Sequence, residues 1–453
     1  MTTLDLSPLG AEPAEVGRPI SRPGVVERVV VVFTMFSLAY GTPLGWFTEG
    51  VTSEQAVAAE TVDPLAQPMF LVLFGFLLSR LVNNSHLVLR LFGAEPILPL
   101  LSLLMVMSAL WSADPNLTAR RAIATVLTTA CAYYLVLRFD PDEIVRMCAS
   151  SLAVGTVLNW VWVVGLPTYG TDPNGFYKGV TNNKNTLGQL AVLSVLILVV
   201  AARSNRRFRL VYYSGAIANV FLLVGTQSKT SLVASALLVF LLIVYQSFRG
   251  RRTLFGAIGL AMVSAMITAA LVVTATLGTI ATSLDKDITL SGRVPLWEAL
   301  LPFIADRPVL GYGWNGFWTG WWGPSHDVWA DNGWSPAHAH NALFDFSLQL
   351  GLIGAGLYLL LMLKGMVRAA WHVRLVPKVH GLWPITIISF SIMFSITETA
   401  QTGRSLTWLM ISVALLEVAY SRQTGRALML RAEMAGPGAE GSDLEPLPPA
   451  SSP

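Results

Sequence analysis

Charge is what this sequence has least of. Of its 453 residues only 13% are Asp, Glu, Lys or Arg, against 53% that are hydrophobic, and the mean hydropathy is +0.58. A soluble domain carries about 25% charged residues. A globule of this length could bury a large core, but too few charges remain to make its polar skin. The shortage excludes an ordinary soluble enzyme, a nucleic-acid binder and a disordered scaffold. Cysteine is scarce too. Cys131 and Cys148 both fall in apolar stretches, which argues against a disulfide framework or a cysteine metal site. Residues 1–26 hold no apolar run of the kind a cleaved leader needs; the first starts at Val29 and reads as an uncleaved anchor. Apolar runs such as Val195 to Ala201 do not alternate with polar residues, which excludes barrel strands. No internal repeat of the transporter kind is visible. The net charge of +3 favours no partner, so only the distribution of charge is informative.

What is present is a series of long apolar runs. A membrane-crossing helix needs about 20 such residues, and the runs predict an all-α polytopic membrane protein with about twelve transmembrane helices. They fall near 29–47, 67–83, 96–111, 121–138, 147–166, 186–202, 209–226, 230–246, 254–276, 341–363, 381–398 and 405–420. Most Lys and Arg lie at one set of span ends, among them Arg28, Arg138, Arg203, Arg252, Lys364 and Arg368. By the positive-inside rule that set is cytoplasmic, with both termini. The organisation expected is a cytoplasmic segment 1–26, transmembrane helices one to nine over 27–276, an outer-face loop 277–340, helices ten to twelve over 341–420, and a disordered cytoplasmic tail 421–453.

The outer loop is far longer than the others, and loops of that length are functional or disordered. Seven tryptophans argue for order: Trp297, Trp314, Trp318, Trp321, Trp322, Trp329 and Trp334. Within it Val294, Trp297, Leu300, Leu301 and Ile304 recur at helical spacing, which predicts an amphipathic helix lying in the outer interface.

A minority of cations sits on the outer side, against the positive-inside bias. Arg120 and Arg121 start span four, Lys178 and Lys184 precede span six, and Lys229 lies in a tight turn between spans seven and eight. Arg293 opens the loop helix, and His340-Asn341 starts span ten. Cations converging on one bilayer face suit a diphosphate. They can hold a lipid-linked sugar diphosphate and stabilise it as it leaves, so a glycosyl transfer there can run without a bivalent metal. Asp345, inside span ten, and Glu398, at the outer end of span eleven near Arg404, are acids at costly positions. Asp285-Lys286-Asp287 and Asp140-Pro141-Asp142 read as solvated turn acids.

The motifs themselves resemble a known family. Ser291-Gly292-Arg293-Val294-Pro295-Leu296-Trp297, Arg307-Pro308-Val309-Leu310-Gly311-Tyr312-Gly313, His338-Ala339-His340-Asn341-Ala342 and Leu350-Gly351-Leu352-Ile353-Gly354 resemble the O-antigen ligase and polymerase superfamily. Leu110-Trp111-Ser112-Ala113-Asp114-Pro115, Asn183-Lys184-Asn185-Thr186-Leu187-Gly188 and Gln227-Ser228-Lys229-Thr230 do so as well. The likeness runs roughly from residue 100 to residue 420. It implies a GT-C type glycosyltransferase of the bacterial inner membrane. Such an enzyme takes glycan from an undecaprenyl-pyrophosphate-linked donor on the outer face and passes it, with inversion, to a hydroxyl on a glycan, lipid or protein acceptor. No cofactor is implied. By position Arg293 matches the family's loop arginine and His340 its essential histidine. Lys229 stands where many relatives have Arg, and Lys binds phosphate as a point charge rather than a fork.

The expected site is thus His340 and Arg293 as catalytic residues. Lys229, Lys184, Arg120, Lys178, Asn341 and Asp345 are expected to contact the diphosphate or glycan. Each has a plainer alternative. His340 could be a helix-start imidazole bonded to backbone, and Arg293 or Lys229 an interfacial anchor facing lipid phosphates. Asn185 could cap a helix, Asp345 and Glu398 could make ion pairs across helices, and the tryptophans could form an interfacial belt. A different class of function, a lipid-linked glycan flippase, would show mid-bilayer charges, broken helices and a repeat.

Overall fold

The computed structural model describes residues 23–47, 65–82, 85–247, 293–332, 335–376, 379–398 and 403–435. Most of those residues are helical, and their one β pairing is an isolated antiparallel bridge, Thr171 to Tyr177. The helices are α1 (Val25–Tyr40), α2 (Ala66–Val82), α3 (Ser85–Ala94), α4 (Ile97–Met107), α5 (Pro115–Arg138), α6 (Pro141–Trp160), α7 (Lys184–Ser204), α8 (Arg209–Thr226) and α9 (Lys229–Ser247). After them come α10 (Arg293–Asp306), α11 (His326–Asn332), α12 (Ala342–Leu375), α13 (Trp383–Thr397) and α14 (Leu406–Ala435). Span nine, the first part of the long loop, Trp334, Asp285-Lys286-Asp287 and both termini lie outside the described residues.

An all-α membrane protein is borne out. Five stretches are long and apolar enough to cross a membrane, and a sixth if α2 and α3 count as one bent span. Other expected spans are shorter apolar helices: α4, α9, α13 and the first part of α14. The bend between α2 and α3 is 94°. The sequence reading did not anticipate α3, whose ten residues lie across the bundle end and bury Leu87 and Leu91.

Helix starts are encoded locally. Asp114 accepts the Leu117 N–H at 3.0 Å, with Pro115 at the first position of α5, a stop-and-start signal that also suits the helix dipole. Asn183 caps α7 by accepting the Thr186 N–H at 2.9 Å. That corrects the expectation that Asn185 is the cap; Asn185 instead accepts the Ser228 hydroxyl at 3.0 Å and ties α7 to the start of α9. Hydroxyls inside the bundle donate one turn back to their own helix, as Thr125, Thr129, Thr156 and Ser194 do. Polar groups in an apolar bundle are satisfied that way. Both cysteines are buried and free.

Ion pairs group the expected inner ends together. Glu27 at the start of α1 pairs with Arg138 at the end of α5 at 2.7 Å, and Arg28 pairs with Glu143 in the first turn of α6. Glu95, before α4, holds Lys364 at 3.0 Å and also Arg368, both on α12. Four cations of the richer set therefore share one end of the bundle.

The opposite end is organised by a break in α12. Gly351 has φ 66°, ψ −171° inside that helix. The two halves do not continue one another: Phe346 stacks on Tyr358 with ring centroids 4.3 Å apart, although twelve helical residues would separate them by about 18 Å along one axis. Asn341 and Tyr358 likewise meet neighbouring residues of α13, Ile396 and Ser395. Span ten, expected as one straight run, is thus a helix folded on itself. Carbonyls freed by the break are taken by the 307–313 loop. The Tyr312 N–H donates to Leu348 O at 2.7 Å, the Gly313 N–H to Gln349 O at 2.9 Å, and the Leu352 N–H to Pro308 O at 2.7 Å. A Cβ on Gly351 would lie 2.1 Å from Val309 O, and one on Gly311 2.5 Å from Leu348 O. The glycines of the two motifs are required because their backbones touch.

Candidate active site

The loop helix forms as expected over Arg293–Asp306, but its inward face is shifted. Leu296 and Leu300 are completely buried, while Leu301 is 54% exposed. Its partner is protein. Trp297 stacks on Phe344 of α12 at 5.6 Å and donates its indole N–H to Ala339 O at 2.9 Å. The tryptophans correct the belt reading in part. Trp314, Trp318 and Trp329 are buried within the fold, and Trp322 is 98% exposed. Trp314 donates to the Thr125 hydroxyl at 3.2 Å and pins the loop to α5.

This packing brings Arg293 to His340. The link is Glu398, just past α13. Arg293 Nη2 donates to Glu398 Oε1 at 2.8 Å, and His340 Nδ1 lies 3.2 Å from Glu398 Oε2. All three side chains are largely buried, 13%, 16% and 8% exposed for Arg293, His340 and Glu398. The ion-pair alternative for Glu398 is realised, with Arg293 as its partner.

His340 has φ 51°, a left-handed conformation that costs a non-glycine residue about 1 kcal/mol or more. The surroundings enforce it. Asp345, fully buried, accepts the Trp318 indole N–H at 2.7 Å on one oxygen and the Ala339 N–H at 3.0 Å on the other. Asn341 caps α12, accepting the Leu343 and Phe344 N–H groups, and its amide donates to Ile396 O. Asp345 and Asn341, expected at the substrate, are bonded into the 338–341 turn and the helix start that follows it. The His340 N–H donates to His338 Nδ1 at 3.2 Å. Desolvation pushes His338 down to about 3 from its ordinary 6.5, so this imidazole stays neutral.

Ligand atoms of His338, His340 and Glu398 lie within 4.8 Å of one another, close enough in principle for a divalent ion. The donor chemistry fits poorly. His338 Nδ1 accepts a backbone N–H, which leaves the ring proton on Nε2, and Glu398 is already paired with a guanidinium.

Of the remaining expected residues, Lys178, Lys184 and Lys229 form a second group, joined by the Asn185–Ser228 and Tyr177–Gly225 bonds. Lys184 opens α7 and stands 4.0 Å over the Phe176 ring. Lys229 opens α9 and is exposed. Lys178 lies in the preceding hairpin and is 2% exposed, and burial lowers its pKa. Arg120 is exposed in the second turn of α5, and Arg121 donates to Asn315 O at 2.9 Å, a structural role. Depth separates this group from the first. Tyr245 of α9 meets Ser389 of α13 at 3.0 Å. Counting about 1.5 Å per residue from that contact puts Lys229 roughly 10 Å farther than Glu398 toward the end of the bundle opposite Glu95.

Residues 214–359 match the family model described as O-antigen ligase. That stretch runs from α8 past the break in α12 and contains Lys229, Arg293, His340, Asn341 and Asp345. A relative is the exopolysaccharide production protein ExoQ of Rhizobium meliloti strain 1021, 24% identical over 258 residues. The likeness to the O-antigen ligase and polymerase superfamily holds. The aligned part is 54% of this chain and spans 58% of that relative's length. Among these features Glu398 is the one residue at the centre of the cluster that lies beyond the matched segment.

Proposed function

We propose that this chain is a membrane glycosyltransferase. It moves glycan from an undecaprenyl-pyrophosphate-linked donor to an acceptor hydroxyl at the outer face of the cytoplasmic membrane, with inversion and without a metal ion. The observation that carries the reading is the joining of Arg293 and His340 through Glu398 in one largely buried cluster. Arg293 offers a fork of donors to the diphosphate. His340 takes the proton of the attacking hydroxyl, the task of an imidazole at neutral pH. The sugar carbon is attacked on the side opposite the leaving diphosphate, which gives inversion in one displacement. Lys229, Lys184, Lys178 and Arg120 provide positive potential around the headgroup on its way in. The name of the relative, an exopolysaccharide production protein, supports a polysaccharide product over transfer to a lipid core.

A broken helix is also what a flippase reading asks for. Here the carbonyls at the break are bonded to loop backbone rather than turned toward a passage, which supports the transferase. The test is Arg293→Ala and His340→Ala in membranes of the native host. Transfer should fall by about 10²-fold or more in each, with unchanged membrane insertion. Undiminished transfer in both would refute the assignment.

A further inference from the structure

We infer that Glu398 is a positioning residue for His340. It holds the imidazole by Nδ1, so that the basic lone pair lies on Nε2, and its other oxygen keeps Arg293 beside the same ring. The inference rests on the transferase reading and deepens it.

The geometry supplies the argument. A neutral imidazole has one proton and one lone pair, and the partner of one nitrogen fixes the role of the other. The partner here is a carboxylate, an acceptor without a proton to give, 3.2 Å from Nδ1. The ring proton therefore sits on Nδ1. The ring packs against His338 with centroids 4.1 Å apart, and the strained backbone that carries it is bonded to His338 Nδ1. Four groups face one another, Arg293, His338, His340 and Glu398. His338 Nδ1 is occupied by the His340 N–H, so His340 is the imidazole placed to take the proton.

The step balances simply. The acceptor O–H bond breaks and its proton goes to His340 Nε2. The oxygen bonds to the anomeric carbon, and the carbon–oxygen bond to the diphosphate breaks with its electron pair leaving on the diphosphate. The imidazolium formed is stabilised by the Glu398 charge, and its proton is then lost to the released diphosphate or to water. Without Glu398 either tautomer would be populated, and the imidazolium would face Arg293 with no counter-charge.

The experiment compares unaltered protein, Glu398→Gln, Glu398→Asp, His340→Ala and the Glu398→Gln/His340→Ala double variant, all purified. The first readout is independent of activity: nitrogen-15 spectra of histidine-labelled protein. The chain has six histidines, and the His340 signals are assigned by loss in His340→Ala. The proposal expects a protonated Nδ1 in the unaltered protein and a mixture of tautomers in Glu398→Gln. The second readout is kinetic. Glu398→Gln should lower kcat by roughly 10²-fold with donor KM changed less than tenfold and thermal stability nearly kept, while Glu398→Asp recovers part of kcat. In the His340→Ala background the Gln change should cost almost nothing more, because the two residues act as a unit. An unprotonated Nδ1 in the unaltered protein, full kcat in Glu398→Gln, or an additive loss in the double variant would overturn the positioning role. Activation by added zinc that disappears with Glu398→Gln would also overturn it, in favour of a metal ligand. A failure of the unaltered protein to release diphosphate lipid is a different result, and would count against the transferase reading itself.

Discussion

His338 and His340 are two residues apart, and the fold gives them different chemistry. The ring of His338 is packed against His340 and accepts a backbone N–H, so it stays neutral, pushed down to about 3. The sign for stability follows. Between that value and its ordinary 6.5 the unfolded chain binds the proton and the folded chain does not, so stability rises with pH across this window. We expect the melting temperature of the purified protein to fall as pH drops from about 6.5 toward 4, and the fall to be shallower in His338→Asn. Equal slopes in both would contradict this. His340 and Arg293 were legible in the sequence because their neighbours form recognisable motifs. The role of Glu398 was not. It sits 105 residues from Arg293 and 58 from His340, and sequence proximity suggested Arg404 instead. Asp345 was noticed as a costly buried acid, but its duty toward Trp318 and a backbone N–H depends on a loop returning from elsewhere. Asp345→Ala strands both donors, each at about 1–3 kcal/mol. A drop in thermal stability together with activity is expected, where a residue that only touches substrate would lose activity alone.

Helices were the easiest elements to read. Apolar length and the caps at Asp114 and Asn341 are local signals, and the expected spans that fall on described residues correspond to helices. Two things escaped. The helix α3 is too short and too amphipathic to register as a span. The break in α12 was hidden because Gly351 lies in a continuous apolar run, where one glycine costs a helix only about 1 kcal/mol. What breaks it is the 307–313 backbone docking against it. Substitution tests this directly. Gly351→Ala places a Cβ 2.1 Å from Val309 O at φ 66°, and should destabilise by about 2 kcal/mol or more. Gly356, on the same helix, has nothing within 4 Å of its added Cβ. Gly356→Ala should be neutral or stabilising by up to about 1 kcal/mol. Melting temperatures in detergent check both; equal effects would mean that the docking does not hold the break.

At the scale of the molecule, charge is sorted to two ends and the site is set back from one of them. Glu95 with Lys364 and Arg368 marks one end, and Arg293, Glu398 and His340 lie toward the other. The level of Asn341 and Tyr358 on α13 lies about 10 Å below the bend at Gly351, counting seven residues. On the proposed reading, a cluster set back from the helix ends suits a donor whose diphosphate stays near the lipid headgroups while its prenyl chain remains in the bilayer. Of the cations that the sequence groups on one side, Arg28, Arg138, Lys364 and Arg368 do lie at one end. The sequence could not show depth, which depends on how α12 folds back. The most direct test is to incubate the purified chain with lipid extract from its own envelope, containing undecaprenyl-pyrophosphate glycans, and to follow glycan size and released diphosphate lipid by gel and mass spectrometry. His340→Ala is run alongside. The account predicts release of diphosphate lipid with longer or transferred glycan by the unaltered protein, and a loss of about 10²-fold or more in the variant. Equal release by both, or none by the unaltered protein with any donor in the extract, would contradict it.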